Sequence, residues 1–143
     1  MNKTYYNTIH KIITMGHWVT DKVGQELKEF GITEPQYNVL LILKSANGEP
    51  LTVQVILNGM VQRSSNVTRI IDKLLAKGYV NRSECCTNRR KMDITITEEG
   101  IKLLRKLNKK VYAIHKPMME NLDEKELELL NQLISKLNST KND

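Results

Sequence analysis

The stretch of sequence that decides the fold runs from residue 62 to residue 97 and reads QRSSNVTRIIDKLLAKGYVNRSECCTNRRKMDITIT. Its first half spaces apolar residues three and four positions apart, which predicts a helix with one buried face. Ser64 or Ser65 can cap that helix, and Gly78 can end it. Its second half alternates from Met92 to Thr97, so YVNRS and MDITIT are predicted to pair as a short β-hairpin. The apolar positions of the helix are Val67, Ile70, Ile71, Leu74 and Leu75.

Three helices are predicted before this stretch. An apolar stripe from residue 2 to residue 30 indicates one long helix, and Gly31 follows as a natural stop. In the sequence TEPQ, Thr33 can cap a second helix while Gln36 completes a capping box. Thr52 can cap a short third helix.

Two more helices are predicted after it. Thr97 can cap a helix over residues 98–121. Asp123 and Glu126 form a capping box at the start of the last helix. The predicted order is therefore four helices, a β-hairpin and two helices, a mainly α fold with a small β element.

The amino-acid composition indicates a globular protein and argues against a membrane-spanning one. The 143 residues are 40% hydrophobic and 27% charged, as in an ordinary single globular domain. The longest apolar run, residues 39–43, is far shorter than the ~20 residues that cross a bilayer. The first residues also lack the apolar core of a signal peptide. We therefore expect a cytoplasmic protein with no membrane partner.

The positive charge is concentrated in one part of the chain. The net charge is +6, and residues 60–93 carry eight basic against three acidic residues, a net charge of +5. Residues 1–59 carry five of each sign. Focused positive charge is typical of a protein that binds a polyanion, most often nucleic acid, although a solvated basic surface is the alternative.

Two short helices, a capped helix and a β-ribbon make a winged helix-turn-helix, which suits double-stranded DNA. Small polar residues at the start of the capped helix can approach base edges, and cations further along suit phosphates. A basic ribbon tip can enter the minor groove. The predicted contacts of the helix are Ser64, Ser65, Asn66, Thr68, Arg69 and Lys73, and those of the wing are Asn88, Arg89, Arg90 and Lys91.

Residues 50–100 resemble the MarR family of winged helix-turn-helix transcriptional regulators. The first family motif is met by Thr68, Arg69, Asp72, Leu74, Lys77, Gly78, Val80 and Arg82, and the second by Arg89, Arg90, Ile94, Ile96, Thr97 and Gly100. The resemblance implies a winged helix DNA-binding region over residues 33–100, flanked by dimerisation helices in residues 1–32 and 101–143.

The resemblance also implies a function. A homodimer would read a pseudo-palindromic operator, with repression the expected outcome and Arg90 the residue that enters the minor groove. Asn88 stands where the family usually has Asp. The dimer has support in the sequence itself, because the apolar stripes of the first and last helices need a surface to cover them. The alternative is a winged-helix module for protein contacts or non-specific nucleic-acid binding.

Other candidate sites are weaker. His10 and His17 lie roughly 10 Å apart along a helix axis, so no metal site or cofactor is expected. No nucleophile with a base, carboxylate pair or phosphate loop appears, so the chain is not expected to be an enzyme. Cys85 and Cys86 cannot form a disulfide framework, and redox sensing by either stays open.

The resemblance further implies a cleft for a small aromatic or phenolic effector. Its candidate lining residues are His17, Trp18 and Tyr37. The alternative reading is that Trp18 and Tyr37 are simple core residues.

Overall fold

The computed structural model describes residues 1–62, 66–85, 87–88 and 90–139. It is mainly α with a small antiparallel sheet, as predicted. The elements are α1 (Lys3–Lys28), α2 (Glu34–Ser45), β1 (Leu51–Thr52), α3 (Val53–Gly59), α4 (Val67–Ala76), β2 (Val80–Glu84), β3 (Met92–Ile96), α5 (Glu98–Met119) and α6 (Glu124–Asn138).

The predicted capping boxes are confirmed. The Thr33 hydroxyl accepts a hydrogen bond from the Gln36 backbone N–H at 3.3 Å, and the Gln36 carboxamide accepts one from the Thr33 N–H at 3.0 Å. Asp123 and Glu126 exchange the same pair of bonds at 2.9 Å each. These contacts satisfy N–H groups that have no partner inside the helix, so they set where α2 and α6 begin.

The predicted cap of α4 was wrong by one or two residues. The N-cap is Asn66, whose side-chain oxygen accepts a hydrogen bond from the Arg69 N–H at 3.1 Å. Ser64 and Ser65 lie outside the described residues. The buried face of α4 begins at Val67, so the residue directly before Val67 is the one that caps the helix.

The sheet has three strands, and the sequence analysis missed one of them. The order is β1-β3-β2, with both pairs antiparallel. The hairpin strands pair Val80 with Ile96, while the two-residue strand β1 pairs Leu51 with Ile94. A strand of two residues has no detectable alternation of its own, so only pairing with β3 defines it.

The chain divides into two compact units, Met1–Val111 and Tyr112–Asp143, with the boundary inside α5. In the first unit, Ile56, Leu74, Ile94 and Leu107 are fully buried and join α3, α4, β3 and α5 in one core.

In the second unit, none of the described residues of α6 is buried. Its apolar side chains Leu127, Leu130, Leu133, Ile134 and Leu137 are exposed. None of the described helices combines the length and the apolar character needed to cross a membrane.

Candidate nucleic-acid interface

The start of α4 presents polar groups above a buried anchor. Val67 is buried, whereas Asn66, Thr68 and Arg69 are exposed. Because the Asn66 oxygen is used for the cap, its amide nitrogen is the part of this side chain that can donate outward. The first turn of a helix also carries partial positive charge. Further along, Lys73 is exposed, as a phosphate-binding cation would need to be.

An ion pair joins α4 to the wing. The Arg82 guanidinium on β2 donates to the Asp72 carboxylate on α4 at 2.7 Å. The pair is solvent-exposed, so its contribution to stability is at most about 1 kcal/mol. The main effect of the ion pair is geometric, because it holds Arg82 of β2 against the side of α4.

Backbone and side-chain hydrogen bonds shape the tip of the wing. The Asn88 side-chain oxygen accepts from the Arg90 N–H at 3.0 Å, and the Asn88 carbonyl accepts from the Lys91 N–H at 3.0 Å. The Cys85 N–H then donates to the Lys91 carbonyl at 3.0 Å. Asn88 therefore supports the backbone of both described cations at the tip. Arg89, predicted as a wing contact, lies outside the described residues.

A cleft of about 400 Å³ lies between α4 and the wing. It brings predicted residues from both elements together, Thr68 from α4 with Arg90 and Lys91 from the wing. It also contains Arg82 and Gln54, which the sequence analysis did not assign to the site. The remaining lining residues are Thr52, Val53, Ile71 and Met92.

The lining therefore includes three cationic residues beside several hydrogen-bonding groups, although Arg82 is already paired with Asp72. Such a groove suits a phosphate backbone. Arg82 had a sequence signal, since it belongs to the motif quoted above. Gln54 had no sequence signal, because it reaches the cleft only through the packing of the start of α3.

The wing also holds a perturbed thiol. Cys85 is partly exposed, and its sulfur lies 3.3 Å from the Thr87 hydroxyl oxygen. The hydrogen bond with the Thr87 side chain, and those with the backbone of Thr87 and Asn88, lower the pKa of the Cys85 thiol. A lowered pKa makes a thiol more reactive at neutral pH. Cys86 lies outside the described residues.

Of the three predicted effector residues, His17, Trp18 and Tyr37, only Trp18 lines the groove on α1. Trp18 is 47% exposed and lines a groove of about 360 Å³ whose other lining residues also belong to α1. Tyr37 is buried, and its hydroxyl donates to the Asn108 side-chain oxygen at 2.8 Å. Burial raises the pKa of Tyr37. His17 is exposed on α1, and the lining of the Trp18 groove includes His10 instead.

In the part of the chain that the structure describes, no three His, Cys, Asp or Glu side chains are grouped closely enough to hold a metal ion.

Comparison with known proteins gives the same family by two routes. The sequence profile of the MarR family matches residues 32–92. The HTH-type transcriptional regulator PrsX of Escherichia coli is 30% identical over 117 residues, which are 82% of this chain and 70% of PrsX.

Solved structures share the fold. The MepR–DNA complex of S. aureus has a TM-score of 0.77 at 24% identity, covering 94% of this chain and 96% of MepR. The organohalide-sensing regulator RdhR, in its 2,4-dichlorophenol-bound form, has a TM-score of 0.79 at 17% identity, covering 94% of this chain and 79% of RdhR. Sequence profile, relative and fold therefore agree, and the chain belongs to the MarR family of DNA-binding transcriptional regulators, which are not enzymes.

Proposed function

We propose that this protein is a sequence-specific repressor that acts in the cytoplasm as a homodimer on a pseudo-palindromic operator. Residues 33–100 would contact DNA, while residues 1–32 and 101–143 would pair the subunits. Residues of the α4 N-terminus would read base edges, with Arg69 and Lys73 on phosphates and the wing in the adjacent minor groove.

The observation that carries the proposal is the cleft between α4 and the wing. It combines the exposed Thr68 of the recognition helix with the cations Arg82, Arg90 and Lys91. A base-reading helix beside a basic ribbon is the arrangement that major-groove and minor-groove contacts require together. The likeness to a MepR structure solved with DNA supports this use of the fold.

Exposed apolar side chains support the homodimer. Ile12 and Ile13 on α1, and Leu130, Leu133 and Leu137 on α6, are all exposed although they are large and apolar. Apolar patches of this kind mark interaction surfaces in soluble proteins. Pairing of two identical chains would cover such side chains without a second kind of protein.

An effector remains part of the proposal. RdhR was solved with 2,4-dichlorophenol bound, which supports a small aromatic or phenolic ligand for this chain. Trp18, which lines an open groove on α1, offers an aromatic face for such a ligand. Binding would shift the population between two spacings of the winged regions and so change operator affinity.

Fluorescence anisotropy with the duplex upstream of the protein's own gene tests the proposal, at several salt concentrations. We expect tight binding by the wild type, with a preference over bulk DNA of at least ~10³. We expect Arg90→Ala to weaken binding, because the arginine that enters the narrow minor groove is lost, and to reduce the magnitude of the salt slope, because one cation is removed from the DNA surface. Lys22→Ala, which removes an exposed cation from α1, is the charge-matched control.

Weak binding that is indifferent to sequence on genomic fragments would favour the alternative, a winged-helix module for non-specific or protein contacts. Equal affinities for wild type and Arg90→Ala would leave the wing without its proposed role.

A further inference from the structure

The segment that leads into the recognition helix is held by a side chain of α2. The Val61 backbone N–H donates to the Asn38 side-chain oxygen at 2.9 Å, across 23 residues of sequence. Val61 directly follows Met60, the C-cap of α3, whose backbone is extended. This hydrogen bond is therefore made where the chain leaves α3 and heads towards α4.

The chain directly after α3 is held by the buried Met60 side chain and by the hydrogen bond of the Val61 N–H. Met60 is 4% exposed and packs in the core, whereas the Val61 side chain is 76% exposed and makes little packing contact. The position of the Val61 backbone therefore depends on the hydrogen bond to Asn38. The space beside it, which Glu34, Pro35 and Gln62 also line, holds only about 10 Å³, the lower limit for one water molecule.

The backbone position of Asn38 is fixed by buried neighbours. Its neighbours Tyr37, Val39 and Leu40 are buried in the core of the first unit. The backbone at Asn38 is therefore held on both sides, which keeps its carboxamide within reach of the Val61 N–H. The bond therefore joins a helix of the core to the residue that follows α3.

We infer that Asn38 is a positioning residue for DNA recognition, which rests on the proposed function. It sets the path of the chain into α4 and thereby the placement of Asn66, Thr68 and Arg69 against the bases. The bond is solvent-accessible, so water can replace the lost acceptor and global stability changes little. What changes is the fraction of molecules whose recognition turn is already in the binding conformation. Apparent affinity falls in proportion to that fraction.

The test compares three variants of Asn38 in the full-length protein. Asn38→Leu keeps the size and removes the acceptor, Asn38→Ala removes the acceptor without adding an apolar group, and Asn38→Asp keeps an acceptor oxygen. The readout is the ratio of affinities for the preferred duplex and for bulk DNA. The charge that Asp adds acts on both affinities through the phosphates, so this ratio isolates the hydrogen bond.

We expect Asn38→Leu and Asn38→Ala to lower the specificity ratio three- to tenfold, as when roughly 10–30% of molecules keep the competent conformation. We expect Asn38→Asp, which keeps the acceptor oxygen, to keep the ratio. Melting temperatures should stay close to that of the wild type. In parallel, amide hydrogen exchange of Val61 by NMR should be faster in the Leu and Ala variants than in the wild type and the Asp variant.

Two results overturn the inference: an unchanged ratio in Asn38→Ala, or an equal loss in Asn38→Ala and Asn38→Asp. If Asn38→Leu fails to fold, Asn38→Ala decides. A wild-type protein with no sequence preference contradicts the proposed function instead. In that case the Val61 exchange rates still report whether the hydrogen bond exists in solution.

Discussion

Two asparagines hold the backbone of two arginines, Arg69 and Arg90, that we propose to contact DNA. Asn66 accepts a hydrogen bond from the Arg69 N–H at 3.1 Å, and Asn88 accepts one from the Arg90 N–H at 3.0 Å. In both cases the side-chain oxygen restrains the backbone of an arginine and leaves the guanidinium to bind elsewhere. Asn88 replaces the aspartate that resemblance to the family led us to expect. It keeps the acceptor oxygen but removes a negative charge from the surface that we propose to face phosphates.

At the same scale, Glu34 makes folding dependent on pH. Burial, and secondly the negative charge of Asp21, raise the pKa of the Glu34 carboxyl above its ordinary value near 4.5. The folded protein therefore binds this proton more tightly than the unfolded chain does, and stability falls as pH rises through the raised pKa. The penalty is absent below the ordinary pKa and fully present above the raised one.

We therefore expect Glu34→Gln to be more stable than the wild type at pH 7 and to lose this advantage as pH falls to 4. Urea denaturation of both proteins at steps of pH measures it. The same change at the exposed Glu49 is the control. An advantage that persists or grows at pH 4 would contradict the assignment.

At the scale of elements, the start of α5 docks onto the turn between α4 and β2. The Thr97 hydroxyl donates to the Gly78 carbonyl at 2.7 Å and accepts from the Gly100 N–H at 3.0 Å. The Thr97 N–H donates to the Tyr79 carbonyl at 3.1 Å. This close approach requires glycine at position 100. A Cβ there would lie 2.3 Å from the Tyr79 carbonyl oxygen and 2.8 Å from a side-chain carbon of Ile96.

We expect Gly100→Ala to destabilise the fold by about 1–3 kcal/mol, because the backbone of the turn must move to admit the methyl group. Gly24→Ala is the control, since a Cβ at Gly24 meets nothing within 4 Å and alanine favours the helix by up to ~1 kcal/mol. Chemical denaturation of both variants measures the difference. A Gly100→Ala protein as stable as the wild type would contradict this prediction, because it would show that the backbone at Tyr79 can move aside at little cost.

At the scale of the whole molecule, the proposed homodimer depends on the apolar side chains of α6. Leu130 lies within the stripe that also contains Leu127, Ile134 and Leu137. Burying a carboxylate in an apolar interface is strongly unfavourable. We expect Leu130→Glu to shift the protein from dimer to monomer and to weaken binding to a two-site operator.

Sedimentation velocity, with anisotropy on the same samples, measures both effects. Gln132→Glu adds the same charge at an exposed position of α6 outside that stripe and should leave the dimer intact. A wild-type protein that sediments as a monomer at micromolar concentration would remove the basis of the dimer proposal.

The amino-acid sequence by itself determined the features whose interactions are local. Capping boxes such as Thr33 with Gln36 and Asp123 with Glu126 form between residues three positions apart. The sequence motif therefore contains both residues that make the hydrogen bonds. The order of the helices and the hairpin, and the position of the basic segment, followed in the same way from periodicity and charge. The predicted cap of α4, Ser64 or Ser65, was wrong, because the neighbouring Asn66 is an equally good cap residue.

Only the tertiary structure decided the contacts between distant segments. It selected Asn66 by burying Val67, paired Leu51 with Ile94 to make a third strand, and joined Asn38 to Val61. It also brought Arg82 and Gln54 into the cleft with Arg90. Such contacts have no periodic signature in the chain, because they depend on how whole faces pack around the core and not on the spacing of neighbouring residues.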